Sequence, residues 1–195
     1  MCRIQYKLLM KSPFFFLIKP KGSEYQNTIE IAGEKIIINS SVENHENVNR
    51  FAEVICVPNY YKGEIKKGDI IVVHHNVFRI YYDMKGRPRR SPNFFKDNIY
   101  FIDPSQFYLY HDGVKWNSVD EFCFVKPIDL EHKYLHQEGL EENTGVVVYS
   151  NNSLRNLGVN EKCKINFSKN SEYKFVINDE VLYRMNTKDV CTILS

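Results

Sequence analysis

Apolar residues in this chain come in short runs, each closed by a polar corner, a proline or a glycine, and no stretch carries an amphipathic helical period. Near the end, Val181–Met185 and Val190–Leu194 read as two strands around the corner Asn186-Thr-Lys-Asp189. The pattern occurs earlier: Tyr100–Ile102 and Phe107–Tyr110 flank the corner Asp103-Pro-Ser-Gln106. The run Phe14–Lys19, closed by Pro20, likewise has an echo in Phe122–Pro127. Between them, Phe51–Val57 predicts a strand, and so does the β-branched run after the Lys66-Lys-Gly-Asp69 turn, where Gly68 supplies the positive φ.

These echoes keep their order along the chain. Lys126-Pro127 stands 107 residues after Lys19-Pro20, Val159 and Ile165 stand 94 after Ile65 and Ile71, and Tyr183 and Val190 stand 83 after Tyr100 and Phe107. A stepwise fall in offset is the signature of one unit duplicated, with longer loops in the first copy. The expected organisation is all-β, with one unit over 1–118 and a second over 119–195, each a small, partly open barrel of about five strands. The first copy's surplus lies in a polar tract at about 21–50 and in an inserted hairpin loop at about 83–97. The tract contains one apolar island, Ile36-Ile-Ile38, and Leu130–Glu142 is polar enough to hold no more than a turn or two of helix.

Composition narrows the function classes. With 26 Lys plus Arg against 24 Asp plus Glu, the net charge of +2 gives no global attraction for polyanions, so a nucleic-acid role needs a local patch. One candidate is Lys85-Gly-Arg-Pro-Arg-Arg90, where Lys85, Arg87, Arg89 and Arg90 stand within six residues; it reads first as a solvated loop tip and alternatively as a phosphate-binding loop. Trp116 and the tyrosines Tyr60, Tyr61, Tyr81, Tyr82 and Tyr110 are stacking platforms in that alternative and strand-face packing otherwise. The five cysteines lack C-x-x-C spacing and read as small buried hydrophobes in a reducing compartment. No apolar run approaches the roughly 20 residues that span a bilayer, and Lys11, Ser12 and Pro13 break the N-terminal apolar stretch, so a cytoplasmic location is expected. The abundance of Asn, Lys, Ile, Tyr and Phe fits an AT-rich coding sequence such as that of a low-GC microbe or a phage.

Ile177-Asn-Asp-Glu-Val-Leu182 followed by Met185, Asp189-Val190 and Ile193 resembles the C-terminal segment of the GroES-like co-chaperonins. Upstream, Ile65-Lys-Lys-Gly-Asp-Ile-Ile-Val72 resembles that family's lead-in to a central strand, and Phe14–Pro20 and Ala52–Val57 fall where its first two strands belong. Taken together, the likeness covers nearly the whole chain as two GroES-like units in tandem. It implies a co-chaperonin that caps a large chaperonin ring, works as a homo-oligomer, and docks through an aliphatic run in a mobile loop between the first two strands. Ile36, Ile37 and Ile38 occupy that place. The second unit departs from the pattern, with Lys162-Cys163 in place of Gly68-Asp69 and no aliphatic triplet between Asp129 and Thr144. The alternatives are a strand for Ile36–Ile38, and for the whole chain a non-enzymatic structural or assembly protein, such as a viral one, that reuses the duplicated fold.

Catalytic signatures are absent: there is no G-x-S-x-G, no glycine-rich phosphate loop and no H-E-x-x-H. No enzyme activity and no cofactor are expected. His74-His75 is the only adjacent histidine pair; on a strand the two would face opposite ways and could not share one metal, so no metal site is expected.

Overall fold

The computed structural model describes residues 10–23, 48–119, 121–128 and 143–194 in full, and 28–31 and 34–37 as backbone. Its elements are nearly all strands. They run β1 Phe16–Pro20, β2 Thr28–Ile31, β3 Glu34–Ile37, β4 Phe51–Cys56, β5 Ile70–Val73, β6 Ile80–Tyr82, β7 Pro88–Arg90, β8 Phe94–Lys96, β9 Ile99–Ile102 and β10 Phe107–His111. The chain continues with β11 Trp116–Ser118, β12 Phe122–Pro127, β13 Thr144–Tyr149, helix α1 Asn152–Asn156, β14 Lys164–Phe167, β15 Tyr173–Ile177, β16 Glu180–Asn186 and β17 Val190–Leu194. Two compact units result, Met1–Phe107 with His111–Gly113, and Tyr108–Tyr110 with Val114–Ser195.

In the first unit the sheet order includes β5-β4-β1-β9-β8, all antiparallel. The second unit has β14-β13-β12-β16-β15, extended past β14 by β17. Pairing repeats residue for residue. Leu17 and Ile18 face Phe101 and Tyr100, and Phe124 and Val125, 107 residues on, face Arg184 and Tyr183. Both copies carry a bulge at the same step: Leu17 pairs Cys56 but Ile18 pairs Val54, while Phe124 pairs Tyr149 but Val125 pairs Val147. Each bulge leaves one residue of the partner strand out of the ladder and sharpens the strand's twist.

The turn leading into the third strand is also common to both. The Gly68 N–H donates to Val54 O (2.8 Å) and the Val54 N–H to Asp69 O (2.9 Å); the Lys162 N–H donates to Val147 O (2.7 Å) and the Val147 N–H to Cys163 O (2.9 Å). Gly68 sits at φ +95° and Lys162 at φ +71°, so the second copy holds a side-chain-bearing residue in left-handed backbone.

The polar corners match as well. Each forms a single 3-10 turn, Pro104–Gln106 and Thr187–Asp189, closed by a reciprocal cap in which the Asp103 N–H donates to Gln106 Oε1 (3.2 Å) and the Asn186 N–H to Asp189 Oδ2 (3.1 Å).

Alternating positions of these strands fill the two cores. In the first unit Phe16, Ile18, Val54, Ile71 and Ile102 are fully buried, with Phe16 edge-on to Phe107 at 5.2 Å. The second unit's core is Cys123, Val125, Val147, Leu154, Val159, Ile165, Phe167 and Met185. Leu154 comes from α1, which the sequence pattern does not reveal. The helix is five residues long, and the Asn151 side chain caps it by accepting from the Leu154 N–H (2.8 Å). The same carboxamide is fully buried and donates to Phe122 O (2.8 Å) and Thr187 Oγ1 (2.6 Å), tying α1 to β12 and to the last corner.

Candidate partner-binding site

The segment that leaves β1 and returns at β4 carries the isoleucine run. Within it β2 and β3 form a hairpin in the register Thr28↔Ile37, Ile29↔Ile36, Glu30↔Lys35 and Ile31↔Glu34. Ile36 and Ile37 therefore have strand backbone, while Ile38 lies outside the described residues. Among the described residues, β2 and β3 pair only with each other and form a two-stranded sheet separate from the one that contains β1 and β4. Thr28-Ile-Glu-Ile31 alternates polar and apolar residues as a strand does, but over only four positions within a long polar tract.

One residue fastens both ends of this segment. Asn49 is buried, and its Nδ2 donates to Lys21 O (2.9 Å) and Ser23 O (2.8 Å) while its Oδ1 accepts from the Phe51 N–H (2.9 Å). The Lys21 N–H in turn donates to Phe51 O (2.9 Å), and Gly22 makes the exit turn at φ +92°. Nothing in the residue pattern singles Asn49 out, since an Asn in a polar tract looks like any solvated loop residue. The corresponding stretch of the second unit, 129–142, is outside the described residues.

The basic run is only partly a loop tip. Pro88–Arg90 is strand β7, paired with β6 as Ile80↔Arg90, Tyr81↔Arg89 and Tyr82↔Pro88, and only Lys85 and Arg87 belong to the turn itself. Tyr60, Tyr81 and Tyr82 are exposed, whereas Tyr110 is buried and Tyr61 packs edge-on against Phe16 at 4.8 Å.

The two histidines do not lie on a strand. Strand β5 stops at Val73, so strand alternation does not apply to His74 and His75; their rings lie side by side, with centroids 4.2 Å apart, and His74 Nδ1 accepts from the Asn76 N–H (3.1 Å). Among the described residues no three His, Cys, Asp or Glu side chains converge as metal ligands. The cysteines also divide. Cys123 is buried and desolvation pushes its thiol up to about 12, but Cys191 is exposed on β17 rather than buried, and Cys56 and Cys163 are half-buried.

The chain is thus a predominantly β protein of two units with one strand order. Among the described residues no helix is long and apolar enough to cross a membrane. No protein-family model matches the chain, and no curated protein matches it in sequence.

Proposed function

We propose that the protein is a tandem co-chaperonin, each unit a small partly open β-barrel of the GroES-like kind, and that it caps a chaperonin ring through Ile36–Ile38. The observation that carries this reading is the β2–β3 hairpin, which stands between the first two strands of the first sheet, pairs only with itself among the described residues, and includes Ile36 and Ile37. A segment tied down at Asn49 and carrying an isoleucine run is suited to enter an apolar groove on a partner. Burying an aliphatic side chain contributes about 1.5 to 3 kcal/mol, enough for three residues to offset the ordering of a short hairpin. Weak docking by one hairpin becomes tight capping when several chains engage one ring, so the reading requires a homo-oligomer. Strand β17 supports that requirement: it ends its sheet with β14 on one side, and among the described residues no strand on the other. The reading involves no catalysis and no cofactor, and it places the protein in the cytoplasm beside the chaperonin.

Sedimentation of the purified protein, alone and with a chaperonin ring and ATP, tests it. Co-sedimentation that requires nucleotide and disappears in the Ile36→Ser, Ile38→Ser variant is the expected result. A chain that stays monomeric and never joins the ring, or a double variant that binds as well as the parent, overturns it.

A further inference from the structure

We propose that the β6–β7 hairpin of the first unit is a binding arm for single-stranded nucleic acid, a function separate from chaperonin capping. Charge is the first argument. Residues 79–90 contain Arg79, Lys85, Arg87, Arg89 and Arg90 against one carboxylate, Asp83, a net +4 within a chain whose total is +2. Positive charge is therefore concentrated on this arm and outweighed elsewhere, the arrangement that directs a polyanion to one place.

Shape is the second argument. The hairpin is exposed along most of its length, with Tyr81 41% and Tyr82 46% accessible and Met84 fully so at the tip. Adjacent strand positions fall on opposite faces, so Tyr81 with its cross-strand partner Arg89 occupies one face and Tyr82 with Pro88 the other. Each face thus offers a ring for a base to stack on, beside cations spaced along the strand for phosphates. Duplex DNA hides its base faces, whereas a single strand presents them.

Rigidity is the third. Asp83 organises the tip by accepting from the N–H groups of Lys85 (2.9 Å) and Arg87 (3.0 Å) and pairing with Arg89 Nε (3.3 Å). At the base, Arg90 stacks over Phe94 (4.4 Å) and donates to Tyr100 Oη (3.2 Å), and Ser91 Oγ donates to Val77 O (2.5 Å). Such an arm loses little conformational entropy on binding. Lys85 and Arg87 are exposed and have no ion pair among the described residues, so these two cations are available to phosphate oxygens.

Fluorescence anisotropy of a labelled mixed-sequence 15-nucleotide single strand with the full chain tests this. Binding is expected at about 50 mM salt, with a log–log salt slope of about −2 to −3 for three to four phosphates. Lys85→Glu with Arg87→Glu should flatten that slope and weaken binding about tenfold or more. Tyr81→Ala with Tyr82→Ala should weaken binding by a similar factor while leaving the slope unchanged. Both pairs are exposed, and matching circular dichroism and melting curves establish that the variants fold. No anisotropy change with the parent, equal or tighter binding of the matching duplex, or binding of polyglutamate with the same affinity and no response to the tyrosine changes each overturns the proposal.

Discussion

The carboxamide nitrogen of Asn49 lies 2.9 Å from the carbonyl oxygen of Lys21, across the gap from which the β2–β3 hairpin emerges. The same nitrogen reaches Ser23 O, and the carboxamide oxygen takes the Phe51 N–H, so one buried side chain replaces water for three backbone groups at the ends of strands β1 and β4. Asn49→Ala leaves those groups without partners and should destabilise the first unit by about 1 to 3 kcal/mol, read as a lower urea midpoint. Asn49→Asp, which sets carboxylate oxygens against two carbonyls, should cost at least as much. Unfolding curves that superimpose on the parent's would refute this role.

The left-handed turn that the two units share makes a reciprocal test. Lys162 holds φ +71° where Gly68 holds φ +95°, and a residue with a Cβ is strained there by roughly 1 kcal/mol. Lys162→Gly should therefore raise the stability of the second unit by up to about 1 kcal/mol, and Gly68→Lys should lower that of the first by a similar or larger amount. Thermal melting of both variants checks the signs.

Gly145 and Ala52 stand at equivalent positions on β13 and β4, yet they are not interchangeable. A Cβ at position 145 would press into the Val125 side chain and lie 2.8 Å from the Lys126 carbonyl oxygen, which is backbone and cannot rotate away. Gly145→Ala should cost about 1 to 3 kcal/mol through overpacking, measured by denaturant unfolding. An unchanged midpoint would mean that the β12–β13 pair can separate without loss.

Cys123 sets an alkaline limit on stability. Its thiol is pushed up to about 12 from an ordinary 9.0, first by desolvation and then by the carboxylate of Asp189. Above pH 9 the unfolded chain loses this proton while the folded chain keeps it, so the unfolded state binds fewer protons and stability falls as pH rises, by up to about 1.4 kcal/mol per pH unit until about 12. Cys123→Ala should flatten that decline in pH-dependent unfolding. A thiol reagent at neutral pH should modify the exposed Cys191 well before Cys123.

Legibility in the sequence followed the kind of interaction. The offsets of 107, 94 and 83 align β1 with β12, β5 with β14 and β9 with β16, while β13 stands 93 residues after β4, because strand patterning and corner chemistry are local: Asp103 and Asn186 each start a corner that caps itself within four residues. Weakly patterned elements were not legible. Strands β6, β7, β8 and β11 are only three residues long, too short to show alternation, β2 and β3 are four-residue strands inside a polar tract, and α1 is a single capped turn and a half. Cys191 looked like core because it sits in an apolar run, but β17 is an edge strand, and an edge exposes what a central strand buries.

The sequence by itself determined the all-β character, the repeated order of strands and corners, and the cations and isoleucines on which both functional proposals depend. Each of these is set by neighbours within a few residues. Only the tertiary structure decided that Asn49 clamps the ends of the hairpin segment, that Asn151 ties α1 to a strand 29 residues earlier and a corner 36 later, and that the basic run is divided between a hairpin turn and a pinned strand. Those outcomes depend on which backbone groups are left without partners once the sheets have formed, and no local pattern contains that information.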